Sequence, residues 1–89
     1  MTAREFQVRG RVQGVGFRWF VKKEAHQLGV KGYVRNEADG NVFVYAVGTE
    51  RQLSQLAARL HRGPRFAEVR GVDEREAAVR KYETFEIED

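Results

Sequence analysis

Apolar and polar residues alternate near the start of the chain, and the spacing of apolar residues then changes. Phe6 and Val8 are separated from their neighbours by polar residues, which is typical of a strand with one buried face. After a turn with two glycines, apolar residues recur at helical spacing from Phe17 until Gly29. The pattern predicts a strand over residues 5–12 and a helix that begins near Phe17 and ends before Gly29.

The next part of the chain has the pattern of two strands joined by a tight turn. Residues 30–37 contain Tyr33 and Val34 at their centre, and residues 42–47 are dense in β-branched and aromatic residues. The dipeptide Asp39-Gly40 between them is typical of a tight hairpin turn. We therefore expect an antiparallel hairpin.

A second amphipathic helix follows the hairpin. Thr49 and Gln52 have the spacing of a capping box, and apolar residues then recur at positions 53, 56, 57 and 60. The dipeptide Gly63-Pro64 predicts the end of this helix. Two weaker strands are expected over residues 67–75 and 82–88.

The order of elements predicts the fold. It is β-α-β-β-α-β, and the C-terminal segment adds an optional fifth strand. Two helices that are each apolar on one side must cover one face of a mostly antiparallel sheet. Right-handed crossovers leave little further freedom in the topology. The prediction is an α+β, ferredoxin-like βαββαβ sandwich with four or five strands. Residues 1–89 leave room for one domain only.

Composition and charge exclude several classes of protein. Without cysteine, there are no disulfides, thiolate nucleophiles or cysteine-based zinc sites. No apolar run is long enough to span a bilayer, and the first residues lack the apolar stretch of a secretory signal. We therefore expect a cytoplasmic protein.

The net charge is +3, and twelve of the sixteen cations are arginine. Acidic residues interrupt these cations along the chain, so the charge pattern indicates mainly a solvated surface. Binding of small anions and binding of nucleic acid are the alternatives.

The turn between the first strand and the first helix carries the candidate chemistry. Residues 10–18 read GRVQGVGFR. Glycine lets the backbone approach a ligand closely, and the unpaired N–H groups of a helix start attract anions. Arg18 can add two parallel donors for phosphate oxygens. Glycines at such a turn are also commonly structural, and neither the Walker nor the dinucleotide spacing is present.

The other polar residues are less informative. Asn36 ends the second predicted strand, directly before the hairpin turn, where an Asn forms the turn more often than it takes part in catalysis. His26 and His61 have no partner at metal-ligand spacing, so we expect no metal site.

The motifs resemble one known family. Residues 10–18 closely resemble the signature of the acylphosphatases, and residues 32–36, which read GYVRN, resemble their second block. Residues 63–65 and 84–87 are similar to the remaining stretches, so the resemblance covers nearly the whole chain. Gly16 resembles the prokaryotic form of the loop.

The resemblance implies a small cytoplasmic hydrolase. Such enzymes split acyl phosphates, which are mixed anhydrides of a carboxylic acid and phosphate, into carboxylate and inorganic phosphate. It implies that Arg18 and Asn36 are catalytic, that Asn36 positions the attacking water, and that no metal, cofactor or covalent phosphoenzyme takes part. Trp19 is unusual beside the motif and is not expected to touch the phosphate. The phosphate-binding residues implied by the resemblance are Gln13, Gly14, Val15, Gly16, Phe17 and Arg18.

The resemblance also implies only small partners: an acyl phosphate as substrate and inorganic phosphate as product and inhibitor. We expect no nucleic acid, no membrane and a monomer. The alternative is a binding module without catalysis, in which Tyr33, Phe43 and Tyr45 stack on RNA bases across the open face of the sheet. Against it, the aromatic-rich strand lacks the RNP1 pattern. A related option is an accessory domain of a larger maturation enzyme.

Overall fold

A five-stranded sheet covered on one face by two helices forms the structure, a computed structural model that describes residues 1–89. The strand order is β4-β1-β3-β2-β5, and every neighbouring pair is antiparallel except β2 and β5. The predicted ferredoxin-like sandwich, with its fifth strand, is confirmed. The elements are β1 (Thr2–Arg11), α1 (Phe17–Leu28), β2 (Lys31–Asn36), β3 (Val42–Gly48), α2 (Glu50–Arg62), β4 (Glu68–Ala77) and β5 (Phe85–Glu88).

Two strand boundaries differ from the prediction by three residues, and the others differ by at most two. Strand β1 begins at Thr2 instead of position 5, because Ala3 is also buried and pairs with Val47 of β3. Strand β5 begins only at Phe85, because the residues before it cross the sheet as irregular chain. The simple alternation along β1 also breaks at a β-bulge next to Gly10, where a Cβ would collide with the backbone of β4.

The main core lies between the sheet and the helices. Phe6 and Val8 of β1 point into it, as their alternation predicts, and so do Val42 and Val44 of β3. Neither helix is long and apolar enough to cross a membrane. The fully buried helical side chains that complete this core are Val21, Ala25, Leu53, Leu56 and Leu60.

The RNA-binding alternative requires an open sheet face opposite the helices, but part of that face is covered. Residues 78–84, which we call the C-terminal strap, connect β4 to β5 across this face. The hydroxyl of Tyr45 donates to the carbonyl of Ala78 at 2.6 Å and accepts from the amide of Arg80 at 2.8 Å. The ring of Tyr82 lies 5.6 Å from that of Tyr45 and 5.8 Å from that of Tyr33, measured between ring centroids.

This contact buries two of the three aromatic residues that the alternative assigned to RNA bases. Tyr33 is 7% exposed and Tyr45 is 0% exposed. Phe43 is partly buried, and the guanidinium of Arg35 lies over its ring at 4.8 Å. These aromatic rings form a second, smaller core. The prediction that Tyr33, Phe43 and Tyr45 stack on RNA bases is therefore wrong. The error arose because the strap has no strong pattern in the sequence.

Candidate active site

Two glycines shape the turn that joins β1 to α1. Gly14 has a φ of 75° and Gly16 a φ of 78°, a left-handed conformation that strains residues with a side chain. A Cβ at either position would meet no atom within 4 Å, so backbone conformation, and not crowding, explains the glycines. Gly16 is the N-cap of α1, and no side chain caps this helix start.

The helix start therefore has free donors. The first hydrogen bond of α1 runs from the amide of Phe20 to the carbonyl of Gly16 at 3.0 Å, so the amides of residues 17–19 have no partner within the helix. The amides of residues 13–16 also donate to no acceptor in the protein. These groups lie at the positive end of the helix dipole, where an anion is favoured.

Arg18 lies in the first turn of α1, and its side chain is 34% exposed. Its Nη1 atom is 3.4 Å from the carbonyl oxygen of Glu88 and 3.6 Å from a carboxylate oxygen of Asp89. The C-terminal end of the chain thus orients the guanidinium, a contact that no local sequence pattern indicates. A guanidinium has five N–H donors, so this contact leaves donors for a ligand.

Asn36 lies on the same small cavity as Arg18. The cavity has a volume of about 100 Å³, and no carboxylate lines it. Strand β2 ends at Asn36 beside the turn before α1, which is how two residues distant in the sequence come together. The lining residues are Val12, Gly14, Gly16, Phe17, Arg18, Trp19 and Asn36.

Other residues form the hairpin turn after Asn36. The amide of Glu37 donates to the carbonyl of Asn41 at 2.9 Å, and the amide of Asn41 donates to the carboxylate of Asp39 at 3.0 Å. The side chain of Asn36 makes no hydrogen bond within the protein. The turn-forming role that the sequence left open for Asn36 therefore belongs to its neighbours.

Of the six predicted phosphate-binding residues, Gly14, Gly16, Phe17 and Arg18 line the cavity, whereas Gln13 and Val15 do not. The side chain of Val15 packs against the main core. The side-chain amide of Gln13 donates to the hairpin carbonyls of Glu37 and Asn41, at 2.8 and 2.9 Å. This bridge positions the turn relative to the end of β2, and no local pattern in the sequence indicates it.

A larger cleft of about 590 Å³ lies on the opposite face of the sheet, but its charge does not suit an anion. Four carboxylates line it together with Arg35, Arg75 and Arg80, and an arginine pairs with each carboxylate. For example, the hydrogen bond to Glu37 at 3.0 Å raises the pKa of Arg35 above its ordinary value. A phosphate would meet like charges there, whereas the small cavity offers an arginine and free amides.

The structure contains no group of three His, Cys, Asp or Glu side chains that could hold a metal ion. The Nε2 atom of His26 lies 3.1 Å from the carbonyl oxygen of Phe85, which indicates a structural contact between α1 and β5.

The fold and the cavity define a class of protein: a ferredoxin-like sandwich with unpaired backbone amides at the turn before its first helix. The family model named Acylphosphatase matches residues 4–87. An acylphosphatase of Solibacter usitatus is 56% identical over 96% of this chain and 88% of its own length. An acylphosphatase of Archaeoglobus fulgidus is 48% identical over 98% of both chains. The crystal structure of acylphosphatase from Bacillus subtilis, 34% identical, superposes with a TM-score of 0.97 over 100% of both chains.

These matches cover almost all of the chain. Their sequence identities, from 34% to 56%, are high enough to show a shared family and not only a shared fold. The chain therefore belongs to the acylphosphatase family and is an enzyme that hydrolyses acyl phosphates.

Proposed function

We propose that Arg18 and the backbone amides of residues 13–18 hold the phosphoryl group of the substrate and that Asn36 orients the attacking water. The observation that carries this proposal is that one small cavity without carboxylates brings together the left-handed turn, Arg18 and a side-chain amide with free hydrogen-bonding groups. These are the groups that phosphoryl transfer requires.

The reaction needs little acid or base catalysis. Water attacks phosphorus, the bond between phosphorus and the bridging oxygen breaks, and the electron pair of that bond leaves with the carboxylate. A carboxylate is a good leaving group, so no residue has to protonate it. The proton of the water passes to the phosphate product. Catalysis then consists of positioning and of stabilising the charge on the equatorial oxygens.

Each proposed group suits one part of this task. The guanidinium of Arg18 offers parallel donors to two phosphate oxygens, and the amides of the turn contribute further donors without any rearrangement of the backbone. The side chain of Asn36 accepts a hydrogen bond from the water through its oxygen and donates through its nitrogen. The water is thereby held in line with the leaving oxygen.

We infer that residues 1–89 act as a single domain and as a monomer in the cytoplasm. Inorganic phosphate, the product, inhibits competitively because it occupies the same turn as the phosphoryl group. No metal ion takes part, because the guanidinium and the amides supply the positive charge that a metal would otherwise contribute.

A crystal structure of the protein soaked with inorganic phosphate tests the proposal. We expect one phosphate within 3.2 Å of at least two amides of residues 13–18 and of the Arg18 guanidinium, since these are ordinary hydrogen-bond distances. A soak of Arg18→Ala serves as the control and should leave the turn without phosphate. Phosphate bound only elsewhere in a catalytically active crystal would contradict the assignment.

A further inference from the structure

Trp19 is the one large apolar side chain that the small cavity presents to solvent. It is 69% exposed, whereas the other apolar residues that line the cavity, Phe17 and Val12, are only 2% and 1% exposed. An exposed tryptophan is common on a protein surface and needs no explanation by itself. This one, however, follows Arg18 directly and lines the same cavity as Asn36.

The size of the cavity leaves the other half of the substrate outside it. Its volume of about 100 Å³ corresponds to roughly three water molecules at ~30 Å³ each. A phosphoryl group occupies such a space, and the acyl group attached to it must then lie at the rim. At this rim the exposed surface belongs to glycine backbone, Arg18, Asn36 and Trp19.

Contacts on the helix hold the indole of Trp19. The ammonium of Lys22, one helical turn later, lies 5.6 Å from the centre of the indole ring. Lys22 is held in turn by Glu86 of β5, with 3.6 Å between Nζ and a carboxylate oxygen. A cation over one face of an indole is attractive, so the ring is partly ordered before any ligand arrives. Because the ring is already ordered, less conformational entropy is lost when a ligand binds.

We propose that the indole of Trp19 is the binding surface for the acyl group and thereby determines how strongly the enzyme favours a flat aromatic acyl group over an acetyl group. This inference rests on the proposed placement of the phosphoryl group at the turn before α1. An aromatic acyl group buries part of the indole and stacks against it, whereas an acetyl group is too small to cover the ring. Trp19 then determines specificity and takes no part in the bond-breaking step.

The experiment compares benzoyl phosphate with acetyl phosphate as substrates of the wild-type enzyme and of Trp19→Ala. We expect kcat/KM for benzoyl phosphate to fall about tenfold, mainly through KM, because a contact made equally in ground and transition states changes binding alone. For acetyl phosphate, kcat/KM should change less than about twofold, and inhibition by inorganic phosphate should stay the same. Trp19→Phe, which keeps an aromatic face, should restore most of the preference.

Phe66→Ala is the matched control, since Phe66 is the other strongly exposed aromatic residue, at 75% exposure, and does not line the cavity. It should leave both substrates unaffected. An equal change for both substrates in Trp19→Ala, or no change for either, would overturn the inference and leave the proposed function standing. A wild-type enzyme whose phosphate lies away from residues 13–18 would overturn the proposed function and this inference with it.

A second measurement does not depend on turnover. Trp19 is the only tryptophan of the chain, so its fluorescence reports on this position alone. At saturation, benzoylphosphonate, a non-hydrolysable analogue with a flat aromatic acyl group, should change the emission, and acetylphosphonate should change it much less. Equal spectra with the two analogues would contradict a contact between the indole and the acyl group.

Discussion

The two helices begin in opposite ways. At the start of α2, the hydroxyl of Thr49 accepts from the amide of Gln52 at 3.1 Å, and the side-chain oxygen of Gln52 accepts from the amide of Thr49 at 2.8 Å. At the start of α1, the N-cap residue is Gly16, which has no side chain to cap the helix, and the amides of the first turn remain free. Both helices lie on the same face of one sheet and are of similar length.

The difference separates a helix start used for stability from one available for binding. A capping box satisfies donors that a ligand could otherwise use, and it stabilises a helix by about 1 kcal/mol relative to alanine. Glycine at the N-cap lowers the stability of the helix by only a few tenths of a kcal/mol relative to a capping residue. The small loss at α1 leaves a row of donors beside Arg18, which the capped start of α2 lacks.

The largest expected effect comes from Arg18→Lys, which keeps the charge but removes the planar fork. Loss of a donor aimed at transition-state charge lowers kcat by about 10²- to 10³-fold in other enzymes, and we expect a similar loss here. The matched control is Arg51→Lys, since Arg51 occupies the second position of α2 as Arg18 does of α1. Steady-state kinetics should show normal turnover for the control. Normal turnover in Arg18→Lys would remove this residue from the mechanism.

Asn36→Ala should come next, with a fall in kcat of about a hundredfold, equivalent to about 3 kcal/mol. Inorganic phosphate should still inhibit with nearly its original strength, because Arg18 and the amides remain. Asn36→Asp should be no more active, since a carboxylate repels the phosphate and cannot donate. Asn41→Ala is the control, because Asn41 bonds to Asp39 within the turn and should affect melting temperature more than kcat. A variant Asn36→Ala with normal kcat and reduced stability would contradict the role.

Gly16→Ala tests the turn itself. The added Cβ meets no atom, so its effect comes from a φ of 78°, and the strain should cost about 1–2 kcal/mol of stability. We also expect phosphate to bind about tenfold more weakly, because relaxation of φ rotates the amides away from the ligand. Thermal unfolding and isothermal titration with phosphate measure the two effects. Unchanged phosphate affinity in a destabilised variant would show that the turn is only structural.

Thr49→Ala makes the complementary change at α2. Loss of the cap should cost about 1 kcal/mol, which lowers Tm by roughly 4–8 °C in a domain of this size. The catalytic parameters should stay within about twofold of the wild type, since α2 does not line the cavity. A clear loss of activity in the folded variant would show that the two helix starts are not functionally distinct.

The smallest effects should come from chelation and pH. A guanidinium keeps its charge in proteins and an amide does not ionise, so the proposed groups keep the same state between about pH 5 and pH 8. We therefore expect kcat with a chelator to equal kcat without it and to change little with pH, apart from ionisation of the substrate. Activity lost on chelation and restored by zinc or magnesium would contradict the proposal.

The sequence by itself determined the elements and their order. Alternation along β1 and β3, helical spacing in α1 and α2, and the glycines and capping residues at their ends are local signals, and each predicted element formed within a few residues of its expected limits. The glycine-containing motif also marked residues 10–18 as the candidate site, and the resemblance to the acylphosphatases added Asn36. Local patterns succeed here because backbone periodicity depends on neighbours within a few positions.

Only the tertiary structure decided which distant residues meet. It placed Asn36 on the same cavity as Arg18, the C-terminal residues beside the guanidinium, and the strap over Tyr33 and Tyr45. It also buried Glu24 of α1 in an ion pair with Arg59 of α2, with 3.0 Å between Oε1 and Nη1. Such contacts depend on how the sheet and helices pack in three dimensions, and no periodicity along the chain records them.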